Sequence, residues 1–490
     1  MNAHFFTIGL FGFAINMAVV YLVIEWAIRV LIVPVIIRKH DTAEAITWLA
    51  ITLFQPIPGL FIYLLLGNQL LGRRRVKAYR KAIEMVESSP HAKAIEPYTA
   101  KREDIEPQHR DLFHLASNVS GTRPLAGNSF RIVQDHGQVV DVLVHDIDQA
   151  QYHVHLLTYI FRSDATGARV AEALARAAGR GVRCRVLVDG VGSARMLKGL
   201  AHTMRSNGIE VREALPVRPL RRPLQRFDVR NHRKLMVVDG SIAYAGSQNM
   251  CDADYGLKRF GPWHDLTARI TGPMVQQLQM LFCEDWAAET GNIPQDEGIF
   301  PEMQKPDGSI ISQSVPSGPA TRNEAFRNVI FGAINEANHH IVMVTPYFIP
   351  DQATLLALKL RAAAGVKLDI IVPERTNSLL VNAAAKSVFA DLLRVGAKIH
   401  LHRPGLLHVK AITIDDSIAL FGSGNFDRRS FRLNFELNLL LHGRAVTHEL
   451  RTILESYKES TRMLDIDELN RRPWYQRLAD DAASLVAPLL

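Results

Sequence analysis

Two stretches decide the fold: HRKLMVVDGSIAYAGSQN at 232–249 and HVKAITIDDSIALFGSGN at 408–425. They align without gaps at an offset of 176 residues, and nine of the eighteen positions are identical. The shared pattern is H-x-K-x4-D-x6-G-S-x-N. It holds His232, Lys234, Asp239, Gly246, Ser247 and Asn249 in one copy, and His408, Lys410, Asp415, Gly422, Ser423 and Asn425 in the other. Upstream, HVHLLT at 153–158 resembles HIVMVT at 340–345. Apolar runs and glycine stops predict a strand over 154–160, a helix over 168–178 and a strand over 182–188, with a short apolar run at 236–245. The second half repeats that order: strand 341–345, helix 353–364, strand 367–372 and a late strand region over 411–421. Strands alternating with helices indicate layered α/β domains. Two long copies fit two similar domains that face each other.

The block carries chemistry as well as periodicity. Residues i and i+2 of an extended segment project to the same face, so each His stands beside its Lys. Two copies bring two imidazoles and two ammonium groups around one point, with Asn249 and Asn425 as neutral donors. Ser247 and Ser423 are further candidates for phosphate contact. Such a site handles phosphate without a metal. The lysines neutralise nonbridging oxygens, one His attacks phosphorus to give a phosphohistidine, and the other protonates the departing oxygen. Each imidazole needs a carboxylate to fix its tautomer. Asp265 and Glu436, 33 and 28 residues after the histidines of their own halves, are the candidates. Asp239 and Asp415 are candidates for the reaction, with a role in bracing the turn before GSxN as the alternative. A lone H-x-K carries little information; two gap-free blocks carry much. His153, His155, His339 and His340 flank strands and read as packing or surface residues. His400 and His402 alternate on a strand without an acidic or Cys partner at ligand spacing, so no metal and no cofactor is expected.

Composition narrows the partner. The chain has 490 residues, 48% hydrophobic and 22% charged, which excludes a disordered chain and predicts several domains. Lys and Arg number 57 against 49 Asp and Glu, a net charge of +8. That balance suits a phosphate-bearing partner, nucleic acid or anionic lipid. The three cysteines, Cys184, Cys251 and Cys283, form no CxxC and read as buried thiols in a reducing compartment.

The first seventy residues favour lipid. Residues 5–24 carry no Asp, Glu, Lys or Arg, an apolar run follows at 30–37 beyond Glu25 and Arg29, and 45–67 is a second uncharged stretch. About 20 apolar residues cross a bilayer core as a helix, so two transmembrane helices are expected, the second kinked at Pro56 and Pro58. The first span is either 5–24 or a segment shifted toward Ile37, where Glu25 and Arg29 share a helix face. The absence of a basic residue before Arg29 argues against a cleaved signal peptide. Arg73, Arg74, Arg75, Lys77, Arg80 and Lys81 then place the rest of the chain in the cytoplasm, with the N-terminus there too if both segments span. A nucleic-acid enzyme would not need such a hairpin, and a scaffold without activity would not need both His/Lys pairs.

These residues resemble the signature of the phospholipase D superfamily and, within it, bacterial cardiolipin synthases. Further matches are Trp48 with Pro58-Gly59 and the YLLLG at 63–67, Trp263-His264-Asp265, TPYFIP at 345–350, and NFDRRS at 425–430 with NFE at 434–436. The resemblance implies an α/β fold in which a transmembrane helical hairpin precedes two phospholipase D-like domains sharing one active site. The expected divisions are 1–70 (two membrane helices), 71–115 (basic juxtamembrane linker), 116–288 (first domain), 289–309 (linker) and 310–490 (second domain with C-terminal helices). It implies a multi-pass protein of the bacterial inner membrane and a phosphatidyltransferase joining two phosphatidylglycerols into cardiolipin plus glycerol. His232 would be nucleophile and His408 acid/base, by the family's order; the sequence leaves the swapped order open. A hydrolytic phospholipase D, or a synthase using phosphatidylethanolamine as donor, uses the same residues. The basic run at 216–226, with Arg218, Arg221 and Arg222, is expected either to meet anionic headgroups or to be a solvated loop.

Overall fold

The computed structural model describes residues 2–40, 42–67, 71–217, 228–256, 261–303, 307–322, 324–376, 378–403 and 405–486. Arg218, Arg221 and Arg222 lie outside the described residues. One continuous mixed sheet of 15 strands runs through the body. Its central pair is Leu125–Val133 and Ile310–Ser317, antiparallel, with Leu125 opposite Ser312. Outward from Leu125–Val133 lie Thr267–Thr271, Ile242–Gly246, Leu235–Val238, His153–Thr158, Arg183–Asp189 and Glu210–Ala214. Outward from Ile310–Ser317 lie Glu436–His442, Ile418–Gly422, Ala411–Ile414, His340–Val344, Lys367–Pro373, Lys398–His402 and Thr461–Met463. The two sides repeat one order, so the internal repeat of the sequence is a repeat of topology about a central seam.

The inner strands are apolar on both faces because helices cover both; Val154, Leu156, Val186 and Leu187 are fully buried in one half, as are Ile341, Val342, Met343 and Val344 in the other. The helix Ala165–Gly179 starts where the Asp164 carboxylate accepts the Gly167 N–H and turns an Ala/Val/Leu face to the sheet. The apolar runs at 236–245 and 411–421 each divide into two strands joined by a tight turn. Asp239 and Gly240 have φ of 50° and 58°, and Asp415 has φ of 47°. Val238 pairs with Ile242 and Ile414 with Ile418, so each loop has three residues; Asp tolerates the positive φ at the first of them.

The N-terminal region differs from its sequence reading in one respect. Helix α1 spans Asn2–Lys39, and among the described residues one helix, Met17–Lys39, is long and apolar enough to cross a membrane. The stretch 45–67, expected as one kinked span, forms α2 (Thr42–Phe54) and α3 (Pro56–Ile62) and then a short π-helical turn. The break falls at Gln55, whose φ of −131° and ψ of 85° are not helical, because Pro56 restricts the residue before it. Beyond, α4 (Gly72–Glu87) is amphipathic: Tyr79, Ala82 and Val86 are buried while Arg73, Arg74, Lys77, Arg80 and Lys81 stay exposed. Its Tyr79 ring stacks on Phe435 at 4.6 Å, and Arg75 pairs with Glu289 at 2.7 Å.

Candidate active site

Each His-x-Lys segment precedes a short strand and is pinned from several sides. Asn231 N–H donates to Asp189, and the buried Arg230 pairs with Asp189 at 3.2 Å. Arg233 pairs with the fully buried Asp285 at 2.7 Å and also donates to the carbonyls of Glu436 and Ser317. Lys234 Nζ donates to the His232 carbonyl at 2.7 Å, and Lys410 to that of His408. Lys234 and Lys410 are both buried.

The carboxylates cross between the halves. His408 Nδ1 meets Asp265 Oδ1 at 2.7 Å. His232 Nδ1 lies 3.3 Å from Glu436 Oε1, out of hydrogen-bond alignment. The sequence spacing set each carboxylate after the histidine of its own half; in the structure Asp265 instead contacts the histidine of the second half and Glu436 lies beside that of the first. The backbone shows the cause. The 406–407 segment pairs in parallel with Trp263–His264, and His408 N–H donates to the His264 carbonyl at 2.8 Å. In the other half Asn231 bridges to Phe435, and His232 N–H donates to the Phe435 carbonyl at 2.8 Å. Each histidine is thus stitched to the residue just before the other half's carboxylate.

Ser247 and Ser423 do not present their hydroxyls to a phosphate. Ser247 donates to Asp265 at 2.7 Å and Ser423 to Glu436, while each hydroxyl accepts a backbone N–H, from Leu266 and Leu437, both at 2.9 Å. Asp239 and Asp415 are not brought to the cluster either. They lie past the far ends of their strands and clamp neighbouring chain: Asp239 accepts N–H groups from Gln151, Tyr152 and His153, and Asp415 from Asn338, His339 and His340, all at 2.8 Å. Asn249 and Asn425 are buried beside the lysines' strands. Asn249 accepts from Ile160 N–H at 3.2 Å, and Asn425 Oδ1 is buried without a partner.

Two aromatic residues of the site were not among the sequence candidates. Tyr159 lies 4.3 Å from the His232 ring, with Lys234 Nζ 5.5 Å from its centre. Trp263, noted in the sequence only as a family match, lies 4.6 Å from the His408 ring. Tyr159 directly follows the repeated HVHLLT, which was the available signal. Away from the site, His155 stacks on Phe282 at 4.4 Å, and His340 and His400 share Asp369 at 2.8 and 2.7 Å. Among the described residues no group of three or more His, Cys, Asp or Glu is arranged to hold a metal ion.

Burial sets the protonation states. Burial and then Lys234 lower the His232 pKa to about 4, against the pull of Glu436. Burial and Lys410 lower His408 to about 3. Lys410 is also felt at His232 and Lys234 at His408, which brings both pairs into one electrostatic unit. Burial lowers Lys234 to about 8 and pushes Lys410 down as well. Burial alone would raise both carboxylates; His408 and Lys410 hold Asp265 low, and His232 and Lys234 hold Glu436 low. Near neutral pH the site offers two neutral imidazoles, one bonded to Asp265 and one beside the anionic Glu436, with ammonium charge beside them. That set suits nucleophilic attack and proton transfer on a phosphodiester.

Comparison with known proteins identifies the family. The family described as "Cardiolipin synthase, PLD-like domain" matches residues 143–286 and 330–458. Cardiolipin synthase A of Klebsiella pneumoniae subsp. pneumoniae is 33% identical over 475 residues, covering 93% of this chain and 95% of the relative. Cardiolipin synthase A of Escherichia coli O1:K1 is 31% identical over 501 residues, covering 97% and 100%. The fold resembles the crystal structure of phosphatidylserine synthase from Haemophilus influenzae, with a TM-score of 0.58 at 16% identity over 77% of this chain and all of that one. Twin His-x-Lys segments, a repeat about one seam and this near full-length similarity lead to one conclusion: the chain belongs to the phospholipase D-like cardiolipin synthase family of phosphatidyltransferases.

Proposed function

We propose that the protein joins two phosphatidylglycerols into cardiolipin and glycerol through a phosphohistidine, without a metal. The observation that supports this reading is the crossed pairing, which ties the two imidazoles and two lysines of the two halves into one electrostatic unit. His232 Nε2 attacks phosphorus of the first lipid and the bond to glycerol oxygen breaks. His408 takes up a solvent proton on Nε2 as the anionic phosphodiester settles between the lysines; the departing oxygen takes that proton, and Lys234 and Lys410 offset the charge growing on the nonbridging oxygens. An anionic phosphodiester between the lysines offsets their effect on His408 and raises its affinity for that proton. Glycerol leaves. The terminal hydroxyl of a second phosphatidylglycerol then gives its proton to His408 and attacks phosphorus, and His232 is released. The 2.7 Å contact with Asp265 suits His408 to repeated proton transfer. In this reading 116–288 and 310–490 are the two catalytic domains, on the cytoplasmic side of a bacterial membrane, and the exposed basic face of α4 meets anionic headgroups.

The test is a product assay with labelled phosphatidylglycerol as the only lipid and a chelator present. Cardiolipin with equimolar glycerol is expected. Phosphatidic acid alone would make the protein a hydrolase, and loss of activity on chelation would overturn metal independence. Rapid quench of the unsubstituted protein and mapping of the labelled histidine should place the label on His232; label on His408 would reverse the roles.

A further inference from the structure

We infer that the chain crosses the membrane once, through α1, and that α2 and α3 form a re-entrant hairpin that enters one leaflet and returns to the face it left. The inference rests on the reading of residues 1–70 as a membrane segment. Its first support is geometric. Trp48 and Tyr63, fifteen residues apart, have ring centres 5.3 Å apart, and His40 contacts both. In one continuous helix fifteen residues rise about 22 Å, so the chain has doubled back. Gly59 sits so close to α2 that a Cβ there would lie 2.8 Å from the Thr52 Cα and the Ile51 carbonyl oxygen. Small residues allow such close helix packing in lipid. Both ends of the hairpin therefore lie level with His40, and Phe54, at the bend, is 82% exposed.

The second support is the backbone at the bend. A helix end in the hydrocarbon core must find donors for its free carbonyls. Arg29 Nε donates to the Leu53 carbonyl at 3.2 Å, and Arg29 pairs with Glu25 at 3.1 Å. Arg29 is ten residues before Lys39, about 15 Å along the helix axis, which is about half the depth of a hydrocarbon core of about 30 Å. A charged pair at that depth is expensive unless it has work to do; here it closes the open end of α2. The third support is charge. Residues 2–28 contain no Lys or Arg. Arg38 and Lys39 end α1, and the exposed Arg73, Arg74, Lys77, Arg80 and Lys81 follow the hairpin. Two crossings would put these clusters on opposite faces. A re-entrant hairpin puts them on one, as the positive-inside rule favours. Glu44, at the base of α2, pairs with Arg432 of the catalytic body at 3.0 Å, which holds the hairpin base against that body.

The full-length protein is labelled in sealed right-side-out and inverted vesicles with a membrane-impermeant maleimide. The three native cysteines are buried, so unsubstituted protein is the blank. Ala3→Cys reports the start of α1, Ser206→Cys the exposed surface of the catalytic body, and Phe54→Cys the bend. Ala3→Cys and Ser206→Cys should label in opposite vesicle orientations, and Phe54→Cys should label only after detergent. Ala3→Cys and Ser206→Cys labelling in the same orientation, with Phe54→Cys protected, would mean two crossings and overturn the inference while leaving the proposed function intact. Labelling of Phe54→Cys in sealed vesicles would remove the hairpin from the membrane and overturn it as well.

Discussion

The two half-sites share a plan and differ in how firmly each imidazole is held. His408 has a direct 2.7 Å bond to Asp265 and an indole beside it; His232 stands 3.3 Å from Glu436, out of line, beside the phenol ring of Tyr159. The two halves thus carry the same charges under different restraints. An imidazole anchored in one tautomer is suited to passing a proton back and forth. One with a looser carboxylate can turn its other nitrogen onto phosphorus.

The sharpest way to break this comparison is to remove either ring. His232→Ala and His408→Ala should each lower cardiolipin formation by more than about a thousandfold. The His232 variant should carry no label on protein in a quenched assay, and label there would invert the two roles. Next come the carboxylates. Glu436→Gln and Asp265→Asn should each reduce kcat by roughly 10²–10⁴-fold. Nitrogen NMR of labelled histidine then tests the crossing: Glu436→Gln should shift the resonances of His232 and spare those of His408, and the opposite pattern would restore pairing within each half.

Loss of Lys234 or Lys410 by substitution with Ala should lower kcat/KM by about 10²–10³-fold, since each removes a charge-assisted contact to phosphate. A gentler probe is pH. Lys234 loses its proton as pH rises through about 8, so kcat/KM should fall above that value, and Lys234→Arg should remove the alkaline fall. On the acid side neutral His232 is lost only as pH drops through about 4, so kcat at saturating lipid, where the bound phosphodiester has raised His408, should persist at pH 5. A decline centred near 6.5 would mean that the rings are better hydrated than this burial implies. The smallest catalytic effect belongs to Asp239→Asn and Asp415→Asn. Asn tolerates positive φ, so the change removes only charge from a three-donor clamp; stability should drop by roughly 1–3 kcal/mol by denaturant titration, with kcat within about threefold. A hundredfold loss of kcat without unfolding would bring these aspartates back to the reaction.

The sequence made the repeat, its strands and the four His/Lys residues readable because each is local. His153–Thr158 and Lys367–Pro373 form strands close to where apolar runs predict them. The crossing was not readable. The distance from His232 to Asp265 is the same whether they touch or not, and only the pairing of 406–407 with 263–264 joins His408 to Asp265. The serines misled for a related reason: a hydroxyl in a Gly-Ser turn suits phosphate, but here the following strand turns it onto a carboxylate. Apolar length likewise counts residues and not direction, so 45–67 read as one kinked helix although Gln55, Pro56 and Gly59 held the signal for the turn between α2 and α3. Asp239-Gly240 was a hairpin signal inside what looked like one run.

The crossed carboxylates also order events in time. Glu436, wholly buried on a strand of the second half, completes the surroundings of a histidine made two hundred residues earlier. While the chain is still emerging from the ribosome, the first half holds a His and a Lys with no Glu436 to orient the ring. Lipid chemistry therefore begins only when most of the protein has been synthesised and folded across its seam, and a truncated product left in the membrane has no finished centre with which to attack it.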